Sequence, residues 1–503
     1  MMKHVVSILK NAGAANRAKI PVLVRKGLTL ALIFCAMAGY PAPFSLRGPA
    51  VKGSDFRVTV FATNLDYPLG MARLGDGSLL VAVSEGVSFW NSTGKLIRLW
   101  DADEDGVADG PGTSLFSGLP GGQTSLRIGG KLVFVTGQGQ GRPISILRMG
   151  PTPADALTLA GQIQFNYAGG WYHPHSALAI RPTPDQAGNY DLFFQLGSQF
   201  NFAVTTGTVS LSSSNIPGAT GTLFGDSIYR LTIIDQGERV SASNLTRIAH
   251  GLRNPAGFAF HPRSGDLYFE DNGIDGLVDA NEPLSADELN MIPASEIGQA
   301  PLKFFGFPTN YIEYRTGRVI GGRGVQPLVA FQPLPEPLTG EESEGPNDIT
   351  FAPVGFPDGL NHGIFVGFHG KFNQGGLSNE ENSVVYVDLG VTNYFHLIGA
   401  RQPEIGHLDG LLATEDSLFL ADLASNGNLN NGNKRGVIYQ IKSLVLPALR
   451  LQWLAQRVEL TWDYGVLQSA DLATGPWDDV RDATSPYGVE VDQSKKFFRT
   501  RKP

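Results

Sequence analysis

Between Phe56 and Lys442 the chain repeats one order of elements six times. A turn with Pro, Asn or Gly opens a short apolar strand, a Gly or Asp turn follows, and a second and later a third strand come after it. The clearest copy runs Arg253-Asn-Pro-Ala-Gly-Phe-Ala-Phe-His-Pro262, then Gly265-Asp-Leu-Tyr-Phe-Glu270, then Asp287-Glu-Leu-Asn-Met-Ile292. The others begin near Pro68, Gly130, His175, Pro346 and Leu408. A small sheet unit recurring every ~50 to 95 residues predicts an all-β, six-bladed β-propeller with long inserted loops. A two-sheet sandwich would not repeat the same triplet. Loops of that length are where such architectures usually carry function.

Composition agrees. Gly 62 and Pro 32 of 503 residues supply turns, and 17% charged residues are too few for long charged helices. The 42% hydrophobic content excludes a disordered chain. A net charge of −8, with no basic run interleaved with aromatics, argues against nucleic-acid binding. No Gly-x-Gly-x-x-Gly, Walker loop, Cys-x-x-Cys-His or Gly-x-Ser-x-Gly occurs in the needed context, which disfavours nicotinamide, nucleotide, c-haem and serine-hydrolase chemistry.

Residues 1–38 read as a secretory leader. Lys19, Arg25 and Lys26 precede an apolar run from Gly27 to Met37, and Ala36-Met37-Ala38 fits a cleavage site. The run of about 11 residues is too short to span a bilayer. The expectation is a periplasmic or secreted protein with no transmembrane domain after cleavage. Cleavage removes Cys35, the single cysteine, so disulfides are excluded and metal ligands must be oxygen or imidazole. Residues 449–503 break the repeat and alternate as a small β-sandwich-like module, resembling the fibronectin-type modules appended to secreted bacterial proteins.

Gly251-Leu-Arg-Asn-Pro-Ala-Gly-Phe-Ala-Phe260, Asp271-Asn-Gly273, Asp287-Glu-Leu-Asn290 and Phe305-Gly-Phe-Pro308 stand in an order that resembles the glucose/sorbosone dehydrogenase family. The resemblance covers roughly residues 56–442. It implies a six-bladed propeller that oxidises a sugar or related alcohol with pyrroloquinoline quinone (PQQ) and Ca2+ and passes electrons to a separate acceptor. It also implies site residues. In Tyr172-His-Pro-His-Ser-Ala-Leu178, His173 stands at the spacing of the family's base, with His175 as alternative; a neutral imidazole can take a hydroxyl proton. Arg253 and Asn254 would hold the quinone oxygens, a planar guanidinium being suited to that task. Asn272 would contact the cofactor, and the Gly273 and Ile274 carbonyls would hold the cation, although the family has proline where Ile274 stands. Gly367-Phe-His-Gly-Lys-Phe-Asn373 resembles the His-Gly-Ser-Trp-Asn block of the sorbosone branch and adds His369 and Lys371 to the cofactor's surroundings.

One further constellation is independent of the resemblance. Asp101-Ala-Asp-Glu-Asp-Gly-Val-Ala-Asp109 sets Asp101, Asp103, Asp105 and Asp109 in a tight loop whose glycine permits the turn, a pattern suited to a hard cation. It lacks the bidentate glutamate of an EF-hand, and its alternative is a solvated acidic turn. Two other functions stay open at this point: a non-catalytic scaffold or carbohydrate-binding propeller, and a calcium-dependent sugar lactonase. Fold alone does not separate them.

Overall fold

A computed structural model describes residues 6–8, 42–49, 51–276, 279–332, 345–370, 383–399, 405–454, 457–490 and 496–502. Among these, regular structure is strand apart from two 3₁₀ turns, Gly53–Asp55 and Ala294–Glu296. No helix among the described residues is long and apolar enough to cross a membrane. The chain divides into two compact units, Ala42–Ser443 and the combination of Met1–Pro41 with Leu444–Pro503.

Among the described residues, the larger unit holds six mainly antiparallel sheets of four or more strands in chain order, besides the two-stranded pair of Tyr311–Ile312 with Val319–Ile320. Their first strands are Met71–Arg73, Gln123–Gly129, Leu178–Pro182, Pro255–Phe260, Pro346–Phe351 and Gly410–Ala413. Each first strand packs against the first strand of the next sheet, and the sixth packs against the first, so the ring closes. The closing sheet is completed by the start of the unit: Phe56–Leu65 pairs antiparallel with Gly436–Ser443, from Phe56 opposite Ser443 to Leu65 opposite Gly436. That pairing removes an open edge.

Why the second strands read as unbroken apolar runs is now plain. In Leu79–Glu85, Leu80 and Ala82 join the cluster shared with the second sheet, whereas Leu79, Val81 and Val83 join the cluster shared with the sixth. Side chains alternate in direction along a strand, so a sheet packed on both faces must be apolar at every position. The same holds around the ring. Phe193 meets Phe258 and Phe269 between the third and fourth sheets, and Phe365 and Tyr386 meet Leu420 and Tyr439 between the fifth and sixth.

Two additions depart from the simple meander. The hairpin Thr208–Ser212 with Gly221–Phe224, from the loop inside the third sheet, extends the second sheet to six strands. Lys303–Phe304 adds a parallel edge to the third. In the smaller unit, Leu449–Trp453, Arg457–Trp462 and Tyr487–Glu490 form one sheet, and Val466–Ala470, Asp478–Asp479, Lys496–Arg501 and Val6–Ile8 form another. Leu449, Val458, Leu460, Trp462, Leu467 and Phe498 make its core. Apart from Val6–Ile8, the leader segment 1–38 lies outside the described residues.

Candidate active site

A cavity of about 180 Å³ opens where the first strands begin. Every sheet reaches it: Leu69, Thr124, Ser176, Asn254, Asn347 and Asp409 stand in or just before the six first strands. Asn272 and His369 complete its polar wall, and Phe89 and Trp90 its aromatic one.

The Arg253-Asn254 turn is held by a buried carboxylate. Asp271 accepts the Arg253 N–H at 3.0 Å and the Asn254 N–H at 2.7 Å, and burial raises its pKa to about 7 against those bonds. Asn254 Nδ2 then donates to Asn272 Oδ1 at 2.6 Å, pairing the two amides on the cavity wall. The bulge between Ala256 and Phe258 follows at once. Gly257 there has φ +50°, and an added Cβ would lie 2.7 Å from Glu270 Oε2, so the position excludes a side chain.

Arg253 itself is only 3% exposed and does not line the larger cavity. Its Nε donates to Asn201 O at 3.1 Å, Nη1 to Asn272 O at 3.2 Å, and Nη2 to Asp275 Oδ2 at 2.7 Å and to Asn201 Oδ1. The guanidinium also lies over the Tyr172 ring, 5.8 Å from its centroid. The charge therefore sits behind Asn272, committed to protein oxygens.

His173 belongs to the same cluster. Its N–H donates to Ser198 O at 2.9 Å and its ring meets Tyr172 edge-on at 4.4 Å. Nε2 is buried with no hydrogen-bond partner. Burial, and then the Arg253 charge, hold the imidazole well below its usual pKa, so it is neutral at neutral pH. His175 is different. It is fully buried, stacks on Phe165 at 3.6 Å, and places Nδ1 2.8 Å from the Tyr167 hydroxyl oxygen. Burial lowers it to about 3, as befits a residue of the core between the second and third sheets.

A second, smaller cavity of about 20 Å³ lies beside the first, with Asn272 lining both. Arg253, Asp271, Gly273, Ile274 and Glu288 line it as well. The Gly273 N–H donates to Asp287 Oδ1 and the Ile274 N–H to Ser285 Oγ, each at 2.7 Å; the Ile274 carbonyl accepts from the Ser285 N–H at 3.0 Å. Glu288 is pushed up to about 8 by burial and by Asp271. The space suits one water or one ion, flanked by backbone and carboxylate oxygens.

Of the cofactor contacts implied by resemblance, the structure thus brings Asn254, Asn272 and His369 to one cavity and Arg253, Gly273 and Ile274 to its neighbour. Lys371 lies outside the described residues. The acidic loop stands apart, between the third and fourth strands of the first sheet. Oxygens of Asp101, Asp103 and Asp105 lie within 4.8 Å of one another, and Asp109 Oδ2 accepts the Ala102 N–H at 2.7 Å, closing the loop. Sequence reasoning missed Asn201, Asp271 and Asp275, which fix Arg253, and Asp409, which touches His369.

No protein-family model matches the chain. Solved structures do resemble it. The calcium form of a Trichoderma reesei protein of carbohydrate-active enzyme family AA12 matches with a TM-score of 0.50 and 14% identity, covering 80% of this chain and 98% of that one. The holo form of the PQQ domain of pyranose dehydrogenase from Coprinopsis cinerea matches with a TM-score of 0.50 and 15% identity, covering 80% and 98%. The chain has their fold. At such identities the likeness is one of fold. An uncharacterized protein of Borreliella burgdorferi is 46% identical over 61 residues, 12% of this chain, and the match spans 14% of that relative's length.

Proposed function

We propose that the ring of six sheets is a six-bladed β-propeller acting as a quinoprotein-type dehydrogenase. In this reading the protein is exported to the periplasm or beyond, uses PQQ and Ca2+, oxidises a sugar or related alcohol, and passes electrons to a separate acceptor. The observation that carries the reading is His173: a neutral imidazole with an unpartnered, buried Nε2, beside a buried guanidinium, at the end of the ring where every first strand begins. The fold shared with the PQQ domain of pyranose dehydrogenase supports it.

The residues fit the cofactor on their own chemistry. Asn254, Asn272, Thr124 and Gln138 offer neutral donors around the larger cavity, and Arg253 reinforces Asn272 from behind. Lys371 would add a charge for an anionic group. Gly273, Ile274 and the neighbouring carboxylates would hold the cation in the smaller cavity. When bound, the quinone supplies a two-electron acceptor and the calcium polarises it. His173 takes the hydroxyl proton, a task for which its neutral state at neutral pH suits it. Arg253 is a positioning and charge-bearing group rather than a hydrogen-bonding clamp, since its donors are engaged. The loop of Asp101, Asp103, Asp105 and Asp109 is read as a separate structural calcium site, favoured by the convergence of three carboxylates.

The experiment is reconstitution of apoprotein with quinone and calcium, followed by absorbance and by dye reduction with a panel of sugars. Binding with turnover supports the reading. Absence of both leaves a non-catalytic propeller.

A further inference from the structure

The wall of the larger cavity changes character around the ring. The second to fourth sheets bring hydroxyls and amides to it: Thr124, Gln138, Ser176, Asn254 and Asn272. The first and sixth bring, besides Asp409, the apolar side chains of Leu69, Phe89, Trp90, Leu423 and Leu429. Leu69, Phe89, Leu423 and Leu429 are each no more than 2% exposed, whereas Trp90 is only half-buried. Among the described lining residues, Trp90 is therefore the large apolar side chain with surface left for a ligand.

The loop that carries Trp90 is tied to both neighbouring sheets. The Phe89 N–H donates to Leu429 O at 2.9 Å, toward the sixth, and Arg142 Nη2 donates to Trp90 O at 3.0 Å, from the second. Ser92 Oγ closes the loop, donating to Phe89 O at 2.7 Å and accepting the Gly122 N–H at 3.2 Å. Phe89 meets the Trp90 ring edge-on, with centroids 4.9 Å apart. An aromatic ring on a fixed backbone loses little freedom when a ligand lands on it.

Most polar groups of the wall are already spent. Thr124 Oγ1 donates to Ser176 O, Ser176 Oγ accepts from Gln195 Nε2 at 3.0 Å, Asn254 is paired with Asn272, and His369 Nδ1 meets Asp409. Asn347, in the first strand of the fifth sheet, is half-buried, and its side-chain amide has no hydrogen-bond partner among the described residues. A free amide offers two donors and an acceptor. Together with an indole on the same wall it matches a molecule that has hydroxyls along its edge and C–H groups on its face.

We propose that Trp90 is the platform for the ring of a cyclic sugar and that Asn347 hydrogen-bonds the hydroxyl edge of the same ring. Both are specificity-determining contacts, separate from the amide pair of Asn254 and Asn272. This inference rests on the reading of the cavity as the place where a sugar reacts, and it leaves the hydroxyl proton to His173. It narrows the substrate, because a pyranose has a C–H face to lay on the indole and an open-chain polyol has none.

Indole emission of the full-length protein, both apo and loaded with quinone and calcium, is titrated with D-glucose and with the open-chain polyol D-glucitol. Trp90→Phe, which removes the indole but keeps a flat ring, assigns the Trp90 component among the six tryptophans. Glucose should shift that component saturably, at about a tenfold lower concentration than glucitol. By calorimetry, Trp90→Ala should weaken glucose binding by about 10-fold and abolish the preference over glucitol, while Trp90→Phe should keep most of both. Asn347→Ala should weaken glucose binding by about 3- to 10-fold. Quinone binding should be unchanged in all three variants. If Trp90→Ala does not fold, Trp90→Leu, apolar but not flat, replaces it. Equal binding of glucose and glucitol by wild type, glucose binding unchanged in Trp90→Ala, or a Trp90 signal that answers to quinone and not to glucose overturns the platform and leaves the dehydrogenase reading standing. Wild type that binds glucose in neither form overturns the platform as well. Glucose binding through Trp90 in a protein that takes no quinone overturns the dehydrogenase reading alone.

Discussion

One histidine stands before the first strand of the third sheet and another directly after the second strand of the fifth, and the fold treats them in opposite ways. At the third, His173 has no carboxylate on its ring; burial and Arg253 strip it of its proton and leave Nε2 unpartnered. At the fifth, Asp409 from the start of the sixth touches His369 at Nδ1, and His407 stacks on its ring. Burial alone makes an imidazole neutral but also a weaker base. A carboxylate sets the tautomer and preserves basicity. Two sites of similar composition can thus differ in what their imidazoles do with a proton, and charge placement decides between them.

The largest effect on this comparison should come from removing the cation at the third sheet. Arg253→Ala removes the guanidinium from Asp275 and from the Asn201 and Asn272 carbonyls, and loss of one member of a buried pair costs about 3–5 kcal/mol. Denaturant unfolding should show it. A loss below about 1 kcal/mol would mean that the cluster is not held by this charge.

A smaller effect is pH-dependent and comes from the core imidazole beside the site. His175 is lowered to about 3 in the folded protein, below the ordinary value of about 6.5. A histidine depressed on folding contributes stability that is full above its unfolded pKa and lost as pH falls toward the folded one. The advantage of wild type over His175→Phe should therefore shrink by about 1.4 kcal/mol per pH unit below 6.5. Asp271 and Glu288, raised to about 7 and about 8, act in the opposite sense, since their ionisation cost is relieved as pH falls from about 8 toward 4. Taking the difference between variant and wild type isolates His175. A pH-independent difference would show that its ring is not desolvated.

How much of this could be read from the chain depends on where each residue packs. The apolar triplets were legible: the runs at Gly77–Ala82, Gly265–Glu270 and Ser417–Asp422 overlap the strands Leu79–Glu85, Leu267–Asp271 and Ser417–Asp422. Strands covered on both faces must be apolar throughout. The fourth strands were not legible, because Thr113–Pro120 alternates irregularly between exposed and buried positions and presents no apolar run. The hairpin spanning Thr208 to Phe224 joins a sheet other than the one whose loop carries it, which no local pattern encodes. At the site, Asn254 and Asn272 were expected through the resemblance carried by residues 251–260 and 271–273, and both line one cavity. The fixing of Arg253 by Asn201 was not, since 52 positions of chain, four strands among them, separate the two. Asp409 sat in plain view within Leu408-Asp-Gly410, but its meaning depends on His369 from another sheet.

The smallest effect concerns the exposed carboxylates, where burial plays little part. A cation bound only by the native state raises apparent stability by mass action. Replacing Asp103 and Asp105 with Asn should lower Tm in calcium and change it little in chelator. Equal losses in both conditions would make the loop a turn held by its own hydrogen bonds, such as Val107 N–H to Asp105 Oδ1 at 2.8 Å.

The most direct test of the central claim is a titration of apoprotein with quinone and calcium, run beside dye reduction on sugars, for wild type and His173→Gln. The account predicts that both proteins bind the quinone and that turnover in the variant falls by about 100-fold or more. Wild-type protein that binds no quinone and reduces no dye would contradict it.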